Sequence, residues 1–343
     1  MSRAPSSRAA SSQVGPSRLA GLRILVPGGL GFLGLNLVPR LLDGGGRVRI
    51  LNRSLDPLAL RWLALAAGGR PVEVVQGDVA DPRIAEWLEG IDLVINLAGE
   101  SGAARSLSDV QTDMQVNVAG HLNLLNAVRA RARPPRIVFL SSRLVYGVTG
   151  GAPVDEDHPP RPTSLYGLHK LTVEHYHRIF WEHDGIPFTV LRVTNPYGPY
   201  QLPHGRHHGI VNRFVMEALA GGTLRLFGGG GQLRDYVHVE DVAEAILRAG
   251  TEERAVGETL NLGSGLPVSL GEVARRIVAA AGSGRVEDVP WPEDDRKVET
   301  GDFRCDTRRI ATILDWRPEV ALEEGLRRTV EAYRSLIPRP SSG

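Results

Sequence analysis

Cysteine is almost absent from this chain of 343 residues, in which Cys305 is the only one. A single cysteine excludes a disulfide framework within the chain and fits a reducing compartment. A lone thiol is more often an inert, half-buried side chain than a nucleophile, so we assign Cys305 no part in any chemistry.

Long apolar runs and charge of one sign are also lacking. No run reaches the roughly 18 residues that a membrane-spanning helix needs. The 40 Lys and Arg residues are balanced by 39 Asp and Glu to give a net charge of +1, so the composition does not point to a polyanionic partner such as nucleic acid. Residues 1–19 have no apolar centre; we expect a disordered tail there rather than a signal peptide, and a cytoplasmic protein.

Glycine, in contrast, is grouped at one informative place. The apolar run 22–26 predicts a buried strand, residues 32–42 show apolar side chains at helical spacing, and Gly28, Gly31 and Gly34 lie between and at the helix start. Glycines at these positions allow a tight turn, close approach of a pyrophosphate and close packing of the helix on the strand. The helix N-terminus would add unpaired N–H groups for the anion. The pattern indicates a dinucleotide site.

The end of the second predicted strand, 47–52, bears on the choice of cofactor. In a dinucleotide-binding unit an Asp or Glu there usually accepts hydrogen bonds from the adenosine ribose. This chain has Asn52, which can still bond a ribose, followed by Arg53, which could meet a 2′-phosphate. These two residues therefore leave the choice between NAD and NADP open.

Further strands follow at regular intervals. Residues 72–75, 91–97, 137–140 and 188–193 predict buried strands separated by helical segments. This alternation predicts the α/β class: a doubly wound parallel sheet of the Rossmann type, with a smaller mixed α/β substrate lobe toward the C-terminus.

Several polar residues fall where ligands of such sheets bind. Asp78-Val79 and Leu97-Ala98 follow strand ends, and Asn117 lies within a predicted helix at 109–131. Ser141-Ser142 directly follow the strand 137–140. Tyr166 and Lys170 lie four residues apart on a predicted helix at 165–183, so they project from one helix face.

The remaining chain predicts the second lobe and the tails. The domains expected are 20–195 with about 235–262 for dinucleotide binding, about 196–234 with 263–336 for the substrate, and a tail at 337–343. Histidines between 204 and 208 have no carboxylate or cysteine at ligand spacing, so no metal site is predicted.

Taken together, these motifs resemble the extended short-chain dehydrogenase/reductase superfamily, and within it the branch that modifies nucleotide sugars. The resemblance covers residues from about 20 to 336. It rests on the order and spacing of Gly28-x-x-Gly31-x-x-Gly34, Asp78-Val79, Leu97-Ala98, Asn117-Val118-x-Gly120, Ser142-x-x-Val145-Tyr146-Gly147, Tyr166-x-x-x-Lys170, Asn195-x-Tyr197-Gly198-Pro199 and Arg234-Asp235-Tyr236-Val237-His238-Val239-x-Asp241.

The resemblance implies hydride transfer between C4 of a sugar and a nicotinamide. Tyr166 would take the proton of the C4 hydroxyl, and Lys170 with the nicotinamide would stabilise its phenolate, since a free phenol has a pKa near 10. Lys170 would also hold the nicotinamide ribose. Ser142, rather than Ser141, occupies the position of the family's catalytic Ser or Thr. The cofactor-binding residues implied are Gly28, Gly31, Phe32, Leu33, Gly34, Asn52, Arg53, Asp78, Val79, Leu97, Ala98, Asn117, Tyr166 and Lys170.

The substrate contacts and the reaction type follow from the same comparison. Asn195 and Arg234 match the family's contacts to the substrate diphosphate, and Arg296 is a candidate for the nucleotide end. After Ser142 the 4,6-dehydratases resemble one another in carrying Asp-Glu, whereas this chain has Arg143-Leu144, which cannot carry out that proton transfer. Arg143 could meet a substrate carboxylate.

A UDP-hexose or UDP-hexuronate 4-epimerase with tightly held NAD is therefore the first hypothesis. The alternatives are a UDP-glucuronate decarboxylase, an NADPH-dependent ketoreductase of a nucleotide-linked 4-keto sugar, and a catalytically idle NAD(P)-binding partner protein. A homodimer is expected through helices 109–131 and 165–183, because relatives commonly pair in this way.

Overall fold

The computed structural model describes residues 18–100, 102–202 and 209–336. The predicted tails, apart from residues 18 and 19, and the histidines at 204–208 lie outside the described residues.

The strands alternate with helices through the first half of the chain. In chain order they are β1 Arg23–Pro27, β2 Arg47–Asn52, β3 Glu73–Gln76, β4 Leu93–Asn96, β5 Arg136–Ser142, β6 Pro153–Val154, β7 Phe188–Val193, β8 Asn195–Tyr197, β9 Thr223–Phe227, β10 Leu233–His238, β11 Glu258–Leu262, β12 Pro267–Ser269, β13 Arg285–Val289 and β14 Arg304–Cys305.

The α-helices are named in the same way. They are α1 Phe32–Asp43, α2 Pro57–Ala67, α3 Ile84–Trp87, α4 Ala103–Ser108, α5 Val110–Met114, α6 Gly120–Arg129, α7 Leu165–Asp184, α8 Ile210–Leu219, α9 Val239–Thr251, α10 Leu270–Ala281, α11 Glu293–Lys297, α12 Arg308–Leu314 and α13 Leu322–Leu336.

A seven-stranded parallel sheet forms the centre, in the order β11-β7-β5-β4-β1-β2-β3. Its strands are buried on both faces: Ile24 of β1 packs with α1, α2 and α9, whereas the neighbouring Leu25 packs with α3 and α6. Runs of apolar residues rather than strict alternation are typical of such doubly covered strands. The predicted doubly wound sheet is confirmed, and its direction of winding reverses between β1 and β4.

The long helix predicted at 109–131 is interrupted by one π-helical turn. Residues 115–119 form this turn between α5 and α6, and Asn117 lies in it. Single π turns inside α-helices are frequent at functional sites because the extra residue redirects side chains.

Helix α7 begins where the sequence predicts. Ser164 precedes its first residue, and its Oγ accepts a hydrogen bond of 3.1 Å from the Gly167 N–H. Gly185, with φ of +68°, ends the helix in the left-handed conformation. These caps fix the helix start, which places Tyr166 in the first turn and Lys170 one turn later.

Three smaller sheets occur in the described residues besides the central one, and one of them is the short pair of β6 with β14. The short strand β8 follows β7 closely in the chain and pairs with β10. Strand β10 pairs on its other edge with β12, and β9 pairs with β13. Helices α8, α10 and α13 share one apolar core with these strands. Within the described residues, no helix is long and apolar enough to cross a membrane.

Candidate active site

A cleft runs across the carboxyl ends of β1 and β4, where ligands of doubly wound sheets bind. It contains a small cavity of about 180 Å³ and a central cavity of about 420 Å³. Gly28, Leu97, Ala98 and Gly99 line both, so the two cavities adjoin at the glycine turn.

The glycine turn is built for close approach. Gly28 has φ of +78°, and a Cβ on it would lie 2.8 Å from the Leu97 carbonyl carbon and oxygen. Gly34 packs α1 on the turn, since a Cβ there would lie 2.3 Å from the Gly29 oxygen. Gly31 precedes α1 without a side-chain cap, so the N–H groups of the first helical turn, from Phe32 onward, open toward the cleft. This cradle fits a pyrophosphate.

The small cavity is lined by residues that are predicted to bind the adenosine end of the cofactor. Asn52, Arg53, Asp78 and Val79 all contribute to it. The Arg53 guanidinium forms ion pairs with Asp78, at 3.4 Å, and with Glu100. Arg53 is therefore already neutralised by two carboxylates.

Asn117, predicted as a cofactor contact, does not line the small or the central cavity. Its side chain is fully buried and bonded at both ends to protein atoms. Its Nδ2 donates to Asp113 and to the Glu100 carbonyl, and its Oδ1 accepts from the Glu100 N–H at 3.1 Å. The contacts indicate that Asn117 acts by fixing the loop after β4, which lines both cavities.

Ser142, Tyr166 and Lys170 meet in the central cavity. Ser142 ends β5 and hydrogen-bonds the Tyr166 side chain. Burial raises the pKa of Tyr166 to about 12, although the bond from Ser142 lowers it. Burial also lowers the pKa of Lys170 to about 8, which Asp113 and Glu174 oppose. Its Nζ donates to the Leu140 carbonyl at 3.0 Å.

A buried network beneath these residues was not predicted from the sequence. Glu174 accepts hydrogen bonds from Ser141 and, at 2.6 to 3.1 Å, from Arg192. Arg192 in turn donates to the Tyr146 hydroxyl at 2.9 Å, and Tyr146 donates to Asn261 at 2.7 Å. One signal was present: Glu174 lies four residues after Lys170, on the same helix face.

The predicted substrate contacts separate into two groups. Asn195 lines the central cavity, and its Nδ2 donates to the Asp235 carbonyl at 2.7 Å. Arg143 and Arg234 line an outer cavity of about 590 Å³, which shares Leu144 with the central one. Arg296 is exposed on α11 and is not among the residues that line the outer cavity.

The central cavity offers few groups that exchange protons. Its titratable side chains among the described residues are Glu100, Tyr166 and Lys170. Although burial raises the pKa of Glu100, hydrogen bonds from Arg53 and Arg105 hold it below its usual value. Tyr166 is thus the side chain placed to exchange a proton with a ligand. No group of three or more His, Cys, Asp or Glu residues in the described ranges is arranged to hold a metal ion.

Comparison with known proteins gives consistent matches. The model of the NAD dependent epimerase/dehydratase family matches residues 24–263. A UDP-glucose 4-epimerase of Mycolicibacterium smegmatis is 34% identical over 320 residues, which cover 92% of this chain and 99% of the relative. A dTDP-glucose 4,6-dehydratase of Streptomyces griseus is 32% identical over 90% of this chain and 93% of its own length.

A solved structure extends the match to three dimensions. The UDP-glucose 4-epimerase of Thermus thermophilus in complex with NAD has a TM-score of 0.81 and 30% sequence identity. The match covers 91% of this chain and 99% of that chain. The fold is therefore shared with a protein whose structure was solved in complex with NAD.

The double ion pair of Arg53 predicts a preference for NAD over NADP. A 2′-phosphate would come close to the carboxylates of Asp78 and Glu100, which repel it and already pair with the Arg53 guanidinium. We therefore expect NAD to bind at least about tenfold more tightly than NADP. The measurement is the dissociation constant of each cofactor after removal of bound nucleotide. Glu100→Gln should narrow the difference, whereas Glu89→Gln, an exposed acid away from the cleft, should not. Equal affinities in the wild type would contradict the prediction.

Proposed function

The chain belongs to the NAD-dependent epimerase/dehydratase family, and from this membership we propose that it is a nucleotide-sugar 4-epimerase acting on a UDP-hexose or a UDP-hexuronate. It is an enzyme of the kind that modifies nucleotide sugars with NAD. The observation that carries the finer assignment is Leu144, which lines the central cavity where a dehydratase needs an acid–base pair. A leucine cannot remove the proton at C5.

For catalysis the chain's own residues have to take up one proton from the substrate and later return it. Tyr166 takes the proton of the C4 hydroxyl, and Ser142, which donates to Tyr166, orients the phenol toward that sugar oxygen. Bound NAD supplies the hydride acceptor for C4 and a positive charge that favours the phenolate. The central cavity then has only to let the 4-keto sugar turn before C4 is reduced again, so Tyr166 returns the proton it took.

The two lobes divide these tasks. We propose that residues 20–195 with about 235–262 bind the dinucleotide, and that 196–234 with 263–336 bind the nucleotide sugar. The supporting observation is that the central cavity is lined by β5 and α7 on one side and by Ile210 and Val211 of α8 on the other. The substrate would therefore lie between the lobes.

Removing the Ser142 hydroxyl should shift the pH dependence of the reaction. The bond from Ser142 lowers the pKa of Tyr166, so Ser142→Ala raises that pKa. Because the phenolate is the active form, the rise of kcat with pH moves to higher pH, and kcat at neutral pH falls about 100-fold.

The control for this variant is the neighbouring serine. Ser141→Ala removes a bond to Glu174, not to Tyr166, and should leave the position of the pH limb unchanged. A profile of kcat from pH 6 to 10 tests both variants. An unshifted limb in Ser142→Ala would contradict the role of Ser142.

Product analysis tests the reaction itself. The enzyme is incubated with UDP-glucose, UDP-glucuronate and their C4 epimers, and sugars and released carbon dioxide are measured. We expect interconversion of C4 epimers without net consumption of NAD, and loss of at least about 100-fold in Tyr166→Phe with the cofactor still bound. A pentose product would indicate a decarboxylase, steady use of added NADPH a ketoreductase, and cofactor binding without turnover an idle partner protein.

We also propose a homodimer through the adjacent helices α5, α6 and α7. The support is a group of exposed apolar side chains, with Val110 and Met114 on α5 and Leu168 and Ile179 on α7. Such a group on neighbouring helices favours a second copy as its cover.

The assembly is tested by sedimentation analysis of the wild type and of the double variant Met114→Glu, Leu168→Glu. The wild type should sediment as a dimer and the variant as a monomer, because four carboxylates, two from each copy, would be buried at the interface. Leu65→Glu, on the exposed side of α2, is the control and should stay dimeric. A monomeric wild type would overturn this assembly.

A further inference from the structure

Arg143 is a buried cation that the proposed reaction does not use. It begins a short 3₁₀ turn, residues 143–145, directly after Ser142, and the residue is only 8% exposed. The Nη1 group donates to the Thr300 hydroxyl at 3.1 Å, and the guanidinium lies 5.2 Å from the centre of the Phe303 ring. The side chain is thus held in one orientation at the wall of the outer cavity.

Within the described residues, no carboxylate forms an ion pair with Arg143. Glu299, the acid with the largest electrostatic effect on it, is instead bonded to Arg234 and to the Gly301 N–H. A guanidinium has five N–H donors, and the structure assigns Arg143 one hydrogen bond. Arg143 lines the outer cavity together with Arg105 and Arg234. Burial and the nearby Arg234 accordingly lower the pKa of Arg143 to about 9.

Three arginines and two acids line the outer cavity, namely Arg105, Arg143, Arg234, Asp295 and Glu299. Arg105 and Arg234 form ion pairs with Glu100 and Glu299, so within the described residues Arg143 is the arginine of this cavity that is left for an added anion. Removal of a charge from water is costly unless an opposite charge and hydrogen bonds compensate. The charge of Arg234 is compensated by Glu299, whereas Arg143 contacts the uncharged Thr300 hydroxyl and the face of the Phe303 ring. The buried positive charge of Arg143 therefore lacks an anionic partner. The partner that suits a guanidinium best is a planar anion that accepts two parallel hydrogen bonds.

We propose, on the basis of the proposed function, that Arg143 binds a carboxylate at C6 of the sugar. The preferred substrates would then be nucleotide-linked hexuronates. Ser142 and Tyr166 locate the C4 hydroxyl, and C6 is joined to C4 through C5. Arg143 directly follows Ser142 in the chain, and the outer cavity that it lines adjoins the central cavity at Leu144. The carboxylate is therefore the sugar substituent closest to Arg143, while Arg234, on β10 and already paired, takes the more distant diphosphate.

Binding measurements on the NAD-loaded enzyme separate carboxylate recognition from diphosphate recognition. The probes are UDP, UDP-glucose and UDP-glucuronate, with the thymidine counterparts in parallel. Arg143→Gln should weaken UDP-glucuronate about 30-fold and UDP or UDP-glucose far less. Arg234→Gln should weaken all three alike. Arg225→Gln, an exposed arginine on β9, removes the same charge and should change none of them.

A second variant tests the proposal if the first one does not fold. If Arg143→Gln loses its thermal transition or its bound NAD, Arg143→Lys keeps the charge but not the planar fork, and a smaller loss confined to the glucuronate is expected. Equal weakening of all three probes would mean that Arg143 contacts the diphosphate and would overturn the proposal. So would a wild type that binds and converts UDP-glucose at least as well as UDP-glucuronate.

Failure of the proposed function has a different signature. If neither sugar is epimerised but the acid sugar binds in an Arg143-dependent way, the 4-epimerase assignment is wrong and the carboxylate site stands. If no probe in either series binds, both are wrong.

Discussion

The contact between the Gly28 turn and the end of β4 is the constraint on which the site depends. A side chain at Gly28 would lie 2.8 Å from the Leu97 carbonyl, so only glycine lets these backbone segments meet. This contact brings the small and central cavities together, and α1 begins where they join. The lining residues from both strand ends then fall at fixed distances from Tyr166 and Lys170, because β4, β5 and their neighbours share one parallel sheet.

Burial determines the electrostatics at the catalytic end of this cleft. It raises the pKa of Tyr166 to about 12 and lowers that of Lys170 to about 8, so it favours the neutral form of both groups. Ser142 lowers the pKa of Tyr166, and Asp113 raises it. The protein's own groups thus leave the phenol protonated at neutral pH. For Tyr166 to act as the proposed base, charge brought by the cofactor would have to favour the phenolate, and proton transfer would then depend on occupation of the dinucleotide site.

Local patterns predicted much of the fold and part of the site. The parallel sheet follows from regularly spaced apolar runs, and the pairing of Tyr166 with Lys170 follows from a spacing of four on one helix. The network of Glu174, Arg192 and Tyr146 did not follow, because it joins segments that are distant in sequence. Asn117 contacts the loop that lines the cleft, because its π turn directs the amide to the Glu100 backbone, which no helical periodicity indicates.

The arginines of the site illustrate why residue type alone does not define a role. Arg53 is neutralised by two acids, Arg234 by one, and Arg296 is exposed to water. Arg143 differs from all three, since it is buried without a carboxylate partner in the described chain. Burial without a counter-charge costs free energy in the absence of a ligand, and that cost is recovered only when an anion occupies the cavity. The distinction depends on where the acids lie in the folded chain, so the role proposed for Arg143 rests on the tertiary structure and not on residue type.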